Sequence, residues 1–250
     1  MRVFSLFWVS FFLIFLPTAK AGSPIGNAGT AKVDAGAFSY ELRMGYTLDD
    51  ESFSTDQRLR IRQHVDYGFN DWYAVRLVME QDDRQGQDFT YRSFTFENRF
   101  QVFEKNKHGW YGGFRINYIG GDDGVDDELD IRLISNVPLS DKWAFRNNII
   151  LEHRFGGGAD DGMLLELRTQ FMRDVPFGED IFKSFSVGVE MFNDFGNLRS
   201  TTNKSDQDHQ FGPVAKASFD NGAYLQAGYR AGLYEEAPDH LFKFFVGQKF

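Results

Sequence analysis

The chain has 250 residues, no cysteine, a formal net charge of −9 and 17% aromatic residues, 28 of them phenylalanine. Disulfide staples and thiol chemistry are excluded, and an acidic chain without a basic face does not fit nucleic-acid binding. A quarter of the residues are charged, so a soluble core holding this much Phe needs long apolar runs, and the chain contains a single one.

That run, VFSLFWVSFFLIFL at 3–16, lies at the start, with Arg2 before it and Pro17 and Ala19-Lys20-Ala21 after it. A positive start, an apolar middle and a small-x-small site are the three parts of a secretory signal peptide. The apolar part is short for a helix that must span roughly 20 residues of membrane. Residues 1–21 are therefore read as a cleaved signal peptide, with an uncut anchor as the alternative. Residues 22–36, rich in Gly and Ala, read as a flexible leader, and 37–250 as the folded body.

From residue 37 onward, apolar and polar residues alternate. In FSYELRMGYTL (38–48), Phe38, Tyr40, Leu42, Met44, Tyr46 and Leu48 form one face; Ser39, Glu41, Arg43, Gly45 and Thr47 form the other. A period of two is the mark of a strand with unlike faces. It predicts strands near 37–48, 57–69, 72–80, 89–103, 110–119, 128–138, 143–155, 163–173, 184–193, 209–219, 223–233 and 240–250. Long polar connections follow the odd strands. Most even strands end in tight turns, among them Asp220-Asn221-Gly222, which contains the Asn-Gly hairpin signal. Long loops at one end and short turns at the other are the habit of outer-membrane barrels. The expected fold is all-β: an antiparallel transmembrane barrel of about twelve strands, with both termini periplasmic. A secreted β-sandwich is the alternative, disfavoured by charges on the inner parity.

Trp72, Trp110 and Trp143 each open a strand after a short turn, which suits a girdle at the membrane boundary. Phe250 ends the closing strand LFKFFVGQKF. A terminal aromatic there resembles the assembly signal of bacterial outer-membrane proteins, although Gln248 departs from it. The implied partners are the assembly machinery, outer-membrane lipid and lipopolysaccharide, and small solutes. A monomer is expected.

With the apolar parity facing lipid, the other parity lines the interior. It holds Arg43, Arg58, Arg60, Arg62, Arg76, Arg99, Arg115, Arg132, Arg146, Arg154, Arg168 and Arg230, with Lys216, Lys243 and Lys249. Against them stand Glu41, Asp66, Glu80, Glu97, Asp130, Glu152, Glu166 and Glu190. A surplus of about seven positive charges points to a wet lumen that favours anions, because arginine stays charged and grips carboxylate or phosphate through two N–H groups. The alternative is a lattice of ion pairs that fills a closed barrel. Acidic residues crowd the long loops, and Asp122, Asp123, Asp126 and Asp127 are weak candidates for a divalent cation. Simple solvation is the plainer reading.

Ser39, Glu41, His64 and Asp66 share the inner parity of the first two strands, which leaves a hydrolase as a third reading. No zinc spacing and no phosphate-cradling glycine loop is present, so no cofactor is expected.

The first hairpin, DDESFSTDQRLRIR (49–62), and a late one, DNGAYLQAGYR (220–230), together with an Arg-lined twelve-stranded barrel, resemble the oligogalacturonate-specific porins, monomeric channels for acidic oligosaccharides. The resemblance implies that Arg43, Arg58, Arg60, Arg62 and Arg230 lie on the path of a sugar acid. The expected function is an outer-membrane channel for passive diffusion of small anionic solutes. A closed structural or surface-interaction barrel is the runner-up.

Overall fold

A computed structural model describes residues 24–50, 56–83, 88–122, 126–156, 162–199, 207–235 and 237–250. Twelve antiparallel strands close into one barrel: β1 (Phe38–Leu48), β2 (Arg58–Gly68), β3 (Tyr73–Asp83), β4 (Thr90–Phe103), β5 (Tyr111–Gly121), β6 (Asp127–Pro138), β7 (Trp143–Phe155), β8 (Met163–Val175), β9 (Ser184–Asn197), β10 (Asp208–Ser218), β11 (Ala223–Gly232) and β12 (His240–Lys249). Each strand pairs with its sequence neighbours, and β1 pairs with β12, from Ser39 opposite Lys249 to Leu48 opposite His240. Closure leaves no unpaired backbone edge, which a lipid environment demands.

The alternation read from sequence is what sorts the side chains. On β12, Leu241, Lys243 and Phe245 are 1%, 4% and 0% exposed, while Phe242, Phe244 and Val246 between them are 44%, 39% and 38% exposed. The exposed parity is apolar all round the barrel, as a lipid-facing wall requires. All twelve strands lie where the period placed them. The largest differences are at the loop end, where β3 runs on to Asp83 and β9 to Asn197. There the hydrophobic alternation stops (QDD, NDFGN), but the backbone ladder continues, because strands that rise above the apolar zone still pair.

The turn end is built from local side-chain caps. Asn70 Oδ1 accepts from the amides of Trp72 and Tyr73 at 3.0 and 2.8 Å. Ser140 Oγ does the same for Lys142 and Trp143 at 3.3 and 3.2 Å. Gly222 takes φ +86° in the last hairpin, a conformation the Asn-Gly pair was expected to supply. One turn carries a single helical turn, α1 (Lys105–His108), closed by Gly109.

Residues 24–37 differ from the reading of a slack leader. They run back inside the barrel, and Ile25, Ala28 and Ala31 are fully buried. The small side chains that suggested looseness are the ones that fit a narrow lumen.

Candidate channel lumen

The lumenal wall is a lattice of ion pairs. On β2 to β5, Arg58 Nε donates to Asp82 at 2.9 Å, and Arg60 Nε lies 3.1 Å from Glu80, which also holds Arg62 and, at 3.3 Å, Arg92. Asp66 takes Arg76 at 2.5 Å and Arg99 at 2.7 Å. Glu97 takes Arg99 at 3.0 Å and Arg115 at 3.1 Å. Across the barrel, Arg230 and Lys243 converge on Glu190 at 2.8 and 2.5 Å.

Five pairs, Glu97–Arg99 again among them, obey one local rule. Glu41-x-Arg43, Glu97-x-Arg99, Asp130-x-Arg132, Glu152-x-Arg154 and Glu166-x-Arg168 each join a carboxylate to the arginine two residues on. Residues i and i+2 of a strand point the same way, so the motif places both charges on the lumenal face within reach. The spacing was legible in the sequence and is a signal the charge count passed over.

Of the twelve arginines expected to line the lumen, eleven are paired with carboxylates. Arg146 instead donates to Gln170 Oε1 at 3.3 Å, and among the described residues no carboxylate lies within ion-pair distance of it. Lys216 is in the same position, with its ammonium 4.3 Å from the centre of the Tyr224 ring. Both sit near the turn end. The expected surplus of about seven charges shrinks, because the wall also holds Asp82, Glu128, Asp194 and Asp208 against one further basic residue, Arg92. Fifteen basic then face twelve acidic side chains, with Lys249 set aside against its partner Asp34, 2.6 Å away. A single carboxylate such as Glu80 also serves several guanidinium groups, which a count of charges does not reveal.

Pairing around the first hairpin sets Glu41 opposite His64 and Ser39 opposite Asp66, as the hydrolase reading required. Their bonds do not form a relay. Glu41 binds Arg43 and the Tyr224 hydroxyl, and Asp66 binds two arginines. His64 is 3% exposed, and neither ring nitrogen has a hydrogen-bond partner among the described residues. A nucleophile needs a base in contact with it, and this set lacks that contact.

Of the cation candidates, Asp123 lies outside the described residues. Asp127 is spent on the loop, accepting from Gly121 N at 3.0 Å and the Tyr118 hydroxyl at 3.1 Å. Among the described residues no group of three or more potential ligands converges. The aromatic candidates all lie at the turn end. Trp110 stacks on Phe103 and Trp143 on Phe171, each 4.7 Å between ring centres, and Trp72 stacks on Phe100 at 6.2 Å. Phe250 leans on Phe38 at 5.8 Å beside the β1–β12 seam.

No protein-family model matches the chain, and no curated protein matches it. Solved structures do. The COG4313 outer membrane channel from Pseudomonas putida F1 aligns with a TM-score of 0.56 at 14% identity, covering 87% of this chain and 97% of that one. The NanC porin aligns at 0.53 and 9% identity, covering 84% and 98%. The KdgM porin, solved in complex with disordered oligogalacturonate, aligns at 0.52 and 11% identity, covering 86% and 98%. The chain therefore has the fold of an outer-membrane β-barrel channel.

Proposed function

We propose that the protein is an outer-membrane channel through which small, anionic solutes diffuse passively. The observation that carries this reading is the lumen itself: a closed barrel, apolar outside, whose inner wall is charged along its whole length. Short turns at one end and long loops at the other support a periplasmic turn end.

The preference for anions rests on fewer groups than the arginine count implied. Paired guanidinium groups offer a passing solute little net charge, so Arg146 and Lys216 carry most of the discrimination. Planar-bilayer recording in a salt gradient tests this. The wild type is expected to prefer chloride over potassium, and Arg146→Gln/Lys216→Gln to lose most of that preference. Cation selectivity in the wild type, or a reversal potential unmoved by the double substitution, would refute the anionic reading. Absence of conductance under every condition would favour the closed structural barrel.

A further inference from the structure

The stretch from Pro24 to Gly36 touches the wall almost all the way round the lumen. Gly36 N donates to Gly68 O on β2 at 2.7 Å, and Val33 N donates to Gln101 Oε1 on β4 at 2.9 Å. Arg115 on β5 donates to Thr30 O at 2.9 Å. Asn136 on β6 accepts from Ala31 N at 2.9 Å and from the Thr30 hydroxyl at 3.0 Å. Asn148 on β7 both accepts from Gly29 N at 2.7 Å and donates to Gly29 O at 3.2 Å. The segment then meets Gln226 of β11 through Asn27, Lys243 of β12 through Gly26 O, and Gly45 of β1 through Ile25.

Two features distinguish this from a terminus that has merely fallen inward. The wall offers side-chain amides where the segment needs backbone partners: Asn148 gives one residue both the acceptor and the donor that a neighbouring strand would give it. The segment is also pared down where space is short. A Cβ at Gly29 would lie 2.7 Å from a guanidinium nitrogen of Arg115, and Ala28 and Ala31 are 0% exposed.

We propose that Gln101, Asn136, Asn148, Gln226, Arg115 and Lys243 form a lumenal binding track for an extended, small-side-chain peptide, and that residues 24–35 of the chain are its resident occupant, closing the channel until they are displaced. This rests on the channel reading. The occupant meets eight of the twelve strands, which sets it across the path of an ion. Its bonds are mostly single, neutral hydrogen bonds, each of modest net strength. Apart from the half-exposed ion pair of Asp34 with Lys249 at 2.6 Å, it is therefore held as a removable plug, in contrast to the buried ion pairs of the wall.

The chain has no cysteine, so introduced thiols report cleanly. In the full-length protein, Ala28→Cys is expected to react with a water-soluble maleimide at least tenfold more slowly than Lys32→Cys, which lies exposed on the same segment. Adding Asn136→Ala/Asn148→Ala is expected to remove most of that protection. In bilayers, Asn136→Ala/Asn148→Ala is expected to raise the open fraction about tenfold. Ile25→Cys/Gly45→Cys is expected to stay closed when oxidised and to open on reduction. Equal labelling of Cys at 28 and 32 in the otherwise native chain would overturn the plug, as would equal conductance of the oxidised and reduced forms. If labelling shows the plug seated and then loosened but no form conducts, the channel reading fails and the seating stands.

Discussion

Glu190→Gln is expected to lower the unfolding free energy of the barrel by about 3–5 kcal/mol, the usual cost of breaking a buried ion pair from one side. The carboxylate is fully buried, and Arg230 and Lys243 both rest against it, at 2.8 and 2.5 Å. Gln170 Nε2 approaches it at 3.4 Å, and Arg230 Nε is tied to Gln210 Oε1 at 2.8 Å. Both cations also lie over the Phe192 ring, 4.0 and 5.7 Å from its centre, an attraction too weak to replace the carboxylate. Neutralising Glu190 leaves two cations facing each other in a space with little water. The measurement is urea unfolding of the refolded protein in vesicles, followed by tryptophan fluorescence, since Trp72, Trp110 and Trp143 all sit at the turn end. Lys243→Met in the Glu190→Gln background removes one of the stranded charges and is expected to recover about half the loss. A loss below about 1 kcal/mol would mean that water reaches the cluster freely.

The barrel was legible because its period is a physical necessity. A wall with lipid outside and charge inside must alternate, and β1, with Glu41, Arg43 and Thr47 buried while Phe38, Tyr40 and Tyr46 are exposed, does so. The turn chemistry at Asn70, Ser140 and Asn221-Gly222 is equally local and was equally readable. Two features of the lumen were not. The charge balance failed because Asp82, Asp194 and Asp208 sit at strand ends, where the hydrophobic alternation has already faded and parity cannot be counted. It failed also because sharing, as at Glu80, is a three-dimensional property. The Glu-x-Arg and Asp-x-Arg spacing was available and would have paired five arginines at once. The seating of residues 24–37 was hidden for a different reason. Gly and Ala are what a loose linker and a threaded strand have in common, and only the polar groups of Asn136, Asn148 and Gln101 on distant strands decide between them.

Glu80→Gln is expected to turn the paired arginine wall into an anion-selective one. Glu80 is 2% exposed and faces three guanidinium groups: Arg60, Arg62 and Arg92. Arg92 keeps Asp82 at 3.3 Å, and Arg60 lies 3.9 Å from it. The substitution therefore adds one net positive charge at Arg60 and Arg62, on the wall that the sequence singled out. For an ion passing at roughly 7 Å through a medium of effective dielectric about 40, one unit charge is worth about 1 kcal/mol. Chloride gains that much and potassium loses it, so the chloride-to-potassium permeability ratio is expected to rise roughly thirtyfold. The recording is best made with Asn136→Ala/Asn148→Ala present, so that the segment at 24–35 does not mask the pore. Arginines along the solute path predict a reversal potential that shifts toward chloride and shrinks as salt is raised, since screening shortens the reach of the new charge. An unchanged reversal potential would show that Arg60 and Arg62 brace the wall away from the path. The ion route would then lie along the side of the lumen that holds Arg146 and Lys216.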